Sequence, residues 1–444
     1  MGNWSKSWTH IERAIKNYFL HAKIIAYLGK KLSNNYINQI EPKLELTIKA
    51  KKISPSILLR LNSKMLLLKK DELIKIEISH IRMSAELEAW ARMKGHSLFT
   101  KSIESEKIKY LFQKMGTEYA LDYKDMIEES SHLQDGWMMD EPSLPRAPKY
   151  FGLMPRGCDV ENSTPLYEFE LDGKELIWAH NVSKLYEEAK QNQWNASDIK
   201  WDQIPDLPIE KERAICQVMT YLAENEFSAL YIPGKFISKI SPYYMELTLF
   251  LATLINDEAR HIEAFTKRAM AKGVGLLNSS TVTQRSLYSL FVEKDYFKTS
   301  FLLHILGEGT FLDLLEFLAK HAPDEITREV VLLAKKDEQR HVNYGLAHVK
   351  ALISANPKRV AYLREAAFKR KAYLDEMSGE SELLIEALCI IAGGSDEKNF
   401  EEGYKKVVKL KEKMGENRVK RMIQCGIDEQ SAIEISGIHT PNFM

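Results

Sequence analysis

The chain contains few cysteines, and their placement argues against whole classes of site. Only four occur among 444 residues, and no two form a C-x-x-C pair. Disulfide-stabilised folds and sites built on several thiolates, such as structural zinc or iron–sulfur sites, need more closely grouped cysteines. A site for chemistry is therefore expected on other side chains. The four cysteines are Cys158, Cys216, Cys389 and Cys425.

Net charge and long apolar runs are also missing. The 62 Lys and Arg residues equal the 62 Asp and Glu residues, so the chain has no net field that would attract nucleic acid or an anionic membrane. No run approaches the roughly 18 consecutive apolar residues of a membrane-spanning helix. The N-terminal residues lead into a charged amphipathic pattern without a secretion signal. We therefore expect a cytoplasmic protein that binds neither nucleic acid nor membrane.

Glycine and proline are scarce as well, at 21 and 14 residues. Apolar residues recur at helical spacing between these few breaks, which predicts an all-α fold of helices joined by short turns. We expect four parts: an N-terminal helical domain over 1–135, a linker over 136–208, a helical bundle over 209–356 and a C-terminal helical extension over 357–444.

Individual helices are predicted from this periodicity and from the glycines and prolines that interrupt it. In the N-terminal domain the helical runs are 11–25, 58–68 and 71–94, with one or two more helices over 100–134. In the bundle they are about 209–232, 243–272, 283–320 with a break near Lys294, and 324–354. In the extension they are about 357–377, a run ending near 392, and 401–414 before a short last element.

The linker is the one part without helical periodicity. Its residues 166–177 alternate around Asp172-Gly173, which predicts a short β-hairpin. Trp194 and Trp201 follow, just before two prolines. We interpret this stretch as a structural clasp packed across the helices, with a binding platform as the alternative.

One five-residue pattern occurs twice in the predicted bundle. Residues 257–261 read Asp-Glu-Ala-Arg-His, and residues 337–341 read Asp-Glu-Gln-Arg-His. A Glu and a His three positions apart share one face of a helix. Each run therefore offers a carboxylate and an imidazole to the same point. Such runs on two helices, with one further Glu from each of two others, make the ligand set of a dinuclear metal site in a four-helix bundle.

The spacing of further glutamates supports this hypothesis. A helix pair that leaves the metal level and returns to it needs roughly 30 residues at about 1.5 Å per residue. Glu226 stands 32 residues before Glu258, and Glu308 stands 30 residues before Glu338. Glu224 is the alternative to Glu226 as the glutamate ligand of the first helix, but the helix face through Glu226 is the more apolar one. We favour Glu226 because metal ligands lie in the interior.

The proposed site therefore has six metal ligands, which would also carry the catalysis. They are Glu226, Glu258, His261, Glu308, Glu338 and His341. Four carboxylates and two imidazoles suit two iron ions, with manganese as a substitute at one or both positions. Asp257 and Asp337 precede the ligand glutamates, and we expect each to accept the free ring N–H of a ligand histidine from the other half. Arg260 and Arg340 could pair with these aspartates or with outer residues.

The two motifs, with Glu226 and Glu308 at these distances, resemble the ferritin-like di-iron carboxylate superfamily. That group includes ferritins, rubrerythrins, the ribonucleotide reductase small subunit, di-iron monooxygenases and arylamine N-oxygenases. The resemblance covers about residues 209–354. It implies a ferritin-like four-helix bundle, to which this chain adds N-terminal and C-terminal helices and the hairpin-bearing linker.

At two positions this chain differs from particular members of the superfamily, which makes those members less similar to it. Phe265 stands where the reductase subunit has its radical tyrosine, and Ala334 stands where arylamine oxygenases have an extra histidine. His304, one turn before Glu308, is a substitute ligand, a donor to a ligand or a core histidine. Tyrosines near the predicted site, which we interpret as core residues, are Tyr221, Tyr231 and Tyr344.

The function expected from this resemblance is O₂ activation at two iron ions to oxidise or oxygenate a small organic substrate. The alternatives are an iron oxidase or peroxidase of the ferritin–rubrerythrin type and a non-catalytic scaffold stabilised by metal. A small-molecule substrate is the expected partner, with O₂ as co-substrate. An electron donor and a homodimer are left open.

Overall fold

The computed structural model describes residues 40–104, 107–115, 138–139, 141–142, 144–156, 158, 164–374 and 381–439. The chain forms two compact units, Met1–Ala120 with Cys158–Pro165 and Leu121–Gly157 with Leu166–Met444. The helix predicted over 11–25 lies outside the described residues. The fourfold division at residues 135, 208 and 356 stays a prediction.

The first unit is an α/β structure in its described part. Its elements are β1 (Leu44–Ile48), α1 (Pro55–Met65), β2 (Leu73–Ile78), α2 (Ser84–Met93), β3 (Ser97–Glu104) and β4 (Lys107–Gln113). The strands form one sheet in the order β1-β2-β4-β3. β1 pairs with β2 in parallel, and α1 makes the crossover between them, whereas the two other pairs are antiparallel.

The prediction of an all-helical N-terminal domain is therefore wrong over residues 44–113. β2 reads Leu-Ile-Lys-Ile-Glu-Ile, and its alternate residues Ile74, Ile76 and Ile78 are fully buried. This period of two is the signal of a strand with one face on a core. It lies inside the run 71–94 that the helical interpretation treated as continuous. Leu61, Leu87 and the β2 isoleucines belong to one buried core.

The described part of the second unit is helical apart from its connecting segments. Its α-helices are α3 (Lys174–Ile177), α4 (Val182–Gln191), α5 (Ile209–Ile237), α6 (Met245–Met270), α7 (Thr281–Phe291), α8 (Tyr296–Ser300), α9 (Gly309–His321), α10 (Glu325–Ala355), α11 (Val360–Leu374), α12 (Glu382–Ala392), α13 (Glu397–Gln424) and α14 (Glu429–Ile438). Between α8 and α9 the chain continues as a π-helix, π1 (Phe301–Glu308). Short 3₁₀ turns occur at Lys149–Phe151, Trp201–Gln203, Pro242–Tyr244 and Pro357–Arg359 here, and at Ile81–Met83 in the first unit.

The helices of this unit start and stop where the sequence supplies caps. Ser280 accepts a hydrogen bond from the Thr283 backbone N–H at 3.1 Å before α7, and Asp324 accepts one from Thr327 at 2.7 Å before α10. Gly273, with φ +79°, lies in the left-handed region just after α6, as expected of a helix end. The bounds of α5 to α10 confirm the helices predicted over 209–354 and the break near Lys294. The described part of the chain is mostly helical.

Packing brings two helix pairs together. α5 packs on α6, and α9 packs on α10; α6 in turn contacts α10, and α4 lies against both. The C-terminal helices surround this assembly, with α12 on α5, α13 on α9 and α12, and α14 on α13 and α11. The apolar residues of all these helices form a single buried core.

The β-hairpin predicted over residues 166–177 is wrong. Leu171 forms a bridge with Ile240, and Gly173 forms one with Arg146, so the segment pairs with other parts of the chain instead of with itself. Its second half is the short helix α3, and the N–H of the first residue of that helix, Lys174, donates to the Pro145 carbonyl at 2.9 Å. The backbone groups that a hairpin would pair within this segment therefore form their hydrogen bonds with other segments.

Two further expectations concern disulfide bonds and membrane-spanning helices. All four cysteines are free, with Cys158 exposed and the other three buried. Within the described ranges, no helix combines the length and the apolar composition that crossing a bilayer requires.

Candidate metal centre

The structure brings together all six side chains that the motif spacing singled out. α5 supplies Glu226, α6 and α10 supply one Glu and one His each, and π1 ends on Glu308. None of the six is more than 3% exposed. So many ionisable groups at one buried point need compensation by opposite charge or by protons.

Two overlapping groups of four residues could each hold one metal ion. In each group the ligand atoms all lie within 4.8 Å of one another. The first group adds Glu226 and His261 to the shared pair, and the second adds Glu308 and His341. The shared pair is Glu258 and Glu338, so each of these two carboxylates faces both positions.

The inner atoms of this cluster have no hydrogen-bond partner, although they are buried. The unpartnered atoms are Glu226 Oε1, both oxygens of Glu258, His261 Nδ1, Glu308 Oε1, both oxygens of Glu338 and His341 Nδ1. His341 Nδ1 lies 3.0 Å from Glu258 Oε1, and His261 Nδ1 lies 3.4 Å from Glu338 Oε1, without hydrogen-bond geometry. Unsatisfied polar atoms are rare in protein interiors. Their convergence fits a cation, which would accept lone pairs from all of them.

The two motif aspartates orient the histidines in a crossed arrangement. Asp337 Oδ2 lies 3.1 Å from His261 Nε2, and Asp257 Oδ2 lies 3.3 Å from His341 Nε2. Each aspartate thus contacts the histidine of the other motif, with α6 and α10 as the two partners. With Nε2 engaged, Nδ1 of each ring faces the glutamates.

The motif arginines neutralise these aspartates. Arg260 Nη2 donates to Asp337 Oδ2 at 2.8 Å, and Arg340 Nη2 donates to Asp257 Oδ2 at 2.9 Å. Each arginine also pairs with the aspartate of its own motif. The two positive charges offset the two aspartates, so the four glutamates, when all are ionised, would carry the charge that two divalent cations balance.

Burial and mutual repulsion shift the glutamate pKa values. Burial, and then the charges of Glu258 and Glu338, raise the pKa of Glu226 well above its ordinary value. Burial likewise raises the pKa of Glu308. Burial also acts to raise the pKa of Glu258, but the nearby histidines outweigh it and hold that pKa below its ordinary value.

The histidine pKa values move in the direction of the protonated form. Burial alone would lower the pKa of His261, but its contacts with Asp337 and with three glutamates raise it well above the ordinary value. Burial would also lower the pKa of His341, but the charge of Glu258 and contacts with neighbouring carboxylates raise it well above the ordinary value. Without a metal the cluster therefore retains protons, and these are what a cation would displace.

The competing position Glu224 lies outside the cluster. Its carboxylate accepts a hydrogen bond from Gln284 Nε2 at 2.9 Å and another from the Ser279 hydroxyl. Glu226, two residues on, is 2% exposed and belongs to the first ligand group. The apolar character of its helix face was the signal that separated the two.

His304 contacts a candidate ligand rather than joining either group. Its Nδ1 lies 2.6 Å from Glu308 Oε2, one helical turn away. A Cβ added at Gly345 of α10 would lie 2.3 Å from His304 Cβ, so the absence of a side chain there lets the two helices approach. π-Helical segments are frequent at functional sites, and π1 carries both His304 and Glu308.

The predicted clasp reaches the centre through Trp194. Its indole Nε1 donates to Asp337 Oδ2 at 2.7 Å, and its ring stacks on that of His261 with centroids 6.2 Å apart. The neighbouring Gln193 accepts a hydrogen bond from Arg260 Nη1 at 2.7 Å. Sequence reasoning singled out Trp194 without connecting it to the metal site, and it missed Gln193, for which no local signal exists.

The tyrosines near the centre fall into different environments. Tyr344 is fully buried, and its hydroxyl bonds to that of Tyr296. Its ring meets His304 edge-on at 5.4 Å between centroids. Tyr221 is buried, whereas Tyr231 is 58% exposed. Phe265 has its ring 6.2 Å from that of His261.

Comparison with known proteins gives structural neighbours only. No family model matches the chain, and no curated protein matches it. Among solved structures, an R2-like ligand-binding oxidase variant with aerobically reconstituted Mn/Fe cofactor is 16% identical, with 57% of this chain and 94% of that one covered, at a TM-score of 0.41. A variant with anaerobically reconstituted Mn/Fe cofactor is 18% identical, with coverages of 57% and 95% and a TM-score of 0.42. An R2-like ligand-binding oxidase after photoconversion is 17% identical, with coverages of 58% and 90% and a TM-score of 0.38.

Proposed function

We propose that this chain is a dinuclear metal enzyme that uses O₂ to oxidise or oxygenate a small organic molecule. The observation that carries the proposal is the convergence of eight buried carboxylate and imidazole atoms without hydrogen-bond partners. The ligands are Glu226, Glu258, His261, Glu308, Glu338 and His341, in the two groups described above.

The donor set supports iron, with manganese at one or both positions. Carboxylate oxygens and imidazole nitrogens suit divalent iron and manganese, whereas thiolates, which would favour zinc or iron–sulfur clusters, are missing from both groups. The neighbouring solved oxidases contain Mn/Fe cofactors. When bound by these residues, such ions would supply the electrons for reaction with O₂.

The chain's own residues prepare the site. Asp257 and Asp337 hold the Nε2 protons of the two histidines and so fix each ring with Nδ1 toward the glutamates. Trp194 covers His261 from the linker side, and the burial of the whole cluster excludes bulk water. Water exclusion favours a controlled reaction over loss of reactive species to solvent.

An organic substrate and an external electron donor complete the proposal. The linker and the C-terminal helices pack around the helices that carry the ligands, which is more chain than the metal site itself requires. Reduction of O₂ to water takes four electrons, and oxidation or oxygenation of one organic molecule supplies two of them. Each turnover would therefore need two more electrons, from an external reductant or from a second oxidation of the substrate.

The experiment that tests the proposal loads the protein with Fe(II) anaerobically, adds O₂ and follows O₂ consumption and absorbance. A panel of small organic molecules is then added. We expect at least one of them to shorten the lifetime of the absorbing species and to gain oxygen or lose hydrogen, as measured by mass spectrometry.

The matched controls are Glu258→Ala, which removes a shared ligand, and Glu224→Ala, which changes a carboxylate outside the cluster. The first should abolish O₂ consumption, and the second should preserve it. Turnover of many Fe(II) per site with no response to any organic molecule would instead identify an iron oxidase. Equal metal content in Glu258→Ala and the unmodified protein would refute the site.

A further inference from the structure

A second cluster of buried charge lies among the C-terminal helices, and it is cationic. It consists of Arg370 of α11, Arg418 and Arg421 of α13, and His439 after α14, which we call the arginine cluster. Arg370 is 2% exposed, Arg418 and His439 are 5% exposed, and the side chain of Arg421 is 11% exposed. Buried guanidinium groups need an anion, because they stay charged in proteins.

Many of the donors in this cluster have no partner among the described residues. The unpartnered nitrogens are Arg370 Nε and Nη1, Arg418 Nε, Arg421 Nη2 and His439 Nε2. The contacts that do exist are mostly neutral. Arg370 Nη2 donates to the Ser286 hydroxyl at 2.7 Å, and Arg421 Nε donates to the Ile305 carbonyl at 3.3 Å.

Only one carboxylate contacts the cluster in the described part of the chain. Asp313 Oδ2 lies 3.5 Å from Arg421 Nη1. Its other oxygen accepts a hydrogen bond from Asn417 Nδ2 at 2.7 Å and lies 3.8 Å from Lys413 Nζ. Three guanidinium groups against one shared carboxylate leave an excess of two positive charges.

The elements that carry the four side chains meet beside π1, because α11 and α13 each pack against both π1 and α14. Burial, and then the charges of Arg418, Arg370 and Arg421, lower the pKa of His439 well below its ordinary value. Burial and the two other arginines also lower the pKa of Arg418 to about 9. His439 is therefore neutral at neutral pH, and its ring adds a polar contact without adding charge.

We propose that the arginine cluster binds a small inorganic oxyanion with two negative charges, phosphate or sulfate. Such an ion matches the excess charge, and its oxygens accept from several guanidinium N–H groups at once. The burial of the cluster favours a compact ion over a phosphate attached to a large organic group. The site is separate from the metal centre and does not depend on the proposed function.

The anion would join the C-terminal helices to the helix that carries Glu308. Arg421 lies against π1 and α9, since a Cβ added at Gly309 would be 2.4 Å from Arg421 Nε. Arg370 approaches from α11 and Arg418 from α13. An oxyanion between them would connect α11 and α13 through charge-assisted hydrogen bonds, with Arg421 in turn against π1.

The test measures binding of radiolabelled phosphate to the full-length protein by equilibrium dialysis, together with the melting temperature across phosphate concentrations. We expect saturable binding of one anion per chain and a melting temperature that rises with phosphate. Sulfate should compete, whereas glycerol phosphate and ATP should not. Arg418→Met and Arg370→Gln should each weaken binding by at least about tenfold, as loss of a charged hydrogen-bond donor predicts.

Arg364→Gln is the matched control, because Arg364 lies on α11 as well but is 51% exposed and pairs with Glu434. It should bind phosphate normally. A variant that fails to fold would not decide the matter, so the melting curves of the unmodified protein carry the test independently. No phosphate or sulfate binding by that protein, or binding only of the organic phosphates, would overturn the proposal. Binding that is lost in Glu258→Ala but kept in Arg418→Met would assign the anion to the metal centre and overturn it too.

Discussion

The two halves of the candidate metal centre share a motif but differ in the helix that supplies the first glutamate. In one half Glu226 projects from the regular helix α5, and its Oε1 has no hydrogen-bond partner. In the other half Glu308 ends the π-helix π1, and His304 contacts its Oε2 at 2.6 Å. The same types of ligand therefore have different surroundings in the two halves. We expect the two positions to differ in their affinity for metal ions.

The linker adds to this inequality. Trp194 contacts Asp337 and stacks on His261, whereas Gln193 approaches Asp257 at 3.4 Å. An indole ring and a flexible amide constrain their neighbours differently, because the indole has fewer rotatable bonds and a large packing surface. A duplicated motif can thus yield two positions that are distinguishable by their partners alone.

The largest effect is expected from removing a ligand that both halves share. Glu258→Ala and Glu338→Ala each take one carboxylate from both groups of four, so each should reduce the metal content from about two ions per chain to nearly none. Elemental analysis of the purified variants measures this. Retention of one ion in either variant would show that the two carboxylates do not bridge.

Removing a ligand that belongs to one half should have about half that effect. Glu226→Ala and Glu308→Ala should each lose about one ion and keep the other. Glu224→Ala is the control, since Glu224 bonds to Ser279 and Gln284 outside the cluster. Metal loss in Glu224→Ala with none in Glu226→Ala would mean that α5 presents its other face to the centre.

A pH series separates the metal-free form from the loaded form. The pKa values of Glu226 and Glu308 are raised, so the folded metal-free protein binds more protons than the unfolded chain above pH 4.5. Its stability should fall as pH rises from 4.5 through those raised values. His261 and His341, also with raised pKa values, add stability that is complete below pH 6.5 and lost as pH rises further. Melting temperatures at several pH values measure this.

The metal-loaded protein is the control for that series. Bound cations keep the glutamates ionised and the histidine Nδ1 atoms free of protons, so the fall should disappear and metal affinity should rise with pH. The lowered pKa values of Asp257, Asp337 and Glu258 do not alter the sign, because these groups stay ionised in both states above pH 4.5. Parallel melting curves for the two forms would contradict the expected proton displacement.

The smallest effect should come from the contact that only one half has. His304→Gln removes the imidazole beside Glu308, and loss of such an outer contact typically weakens metal binding about 10–100-fold. The weaker binding should affect one ion of the two, as a chelator titration resolves. Equal weakening of both ions would show that π1 does not distinguish the halves.

Sequence reasoning located the candidate centre because helical periodicity makes its geometry local. Glu258 and His261 share a face by spacing alone, and the return distance of a helix pair identified Glu226 and Glu308. Contacts between distant segments had no such signal. Trp194 and Asp337 are 143 residues apart, and the arginine cluster assembles from α11, α13 and the residue after α14.

In the first unit the sequence did contain a signal for the strand, but the signal was ambiguous. The alternation of Ile74, Ile76 and Ile78 was present in the sequence, but charged residues between them also suit a helix surface. What decides for the strand is pairing with residues 44–48 and 108–113, which a single segment does not reveal. The hairpin prediction failed for the same reason, since Leu171 finds its partner at Ile240.

The crossed contacts between α6 and α10 also have a consequence for biosynthesis. His261 is made 76 residues before Asp337, the aspartate that orients it. At about 5–20 residues per second on the ribosome, that interval lasts about 4–15 s. During it the nascent chain exposes the ligands of α5 and α6 without their counterparts. The full set of six candidate ligands therefore exists only after α10 has been synthesised.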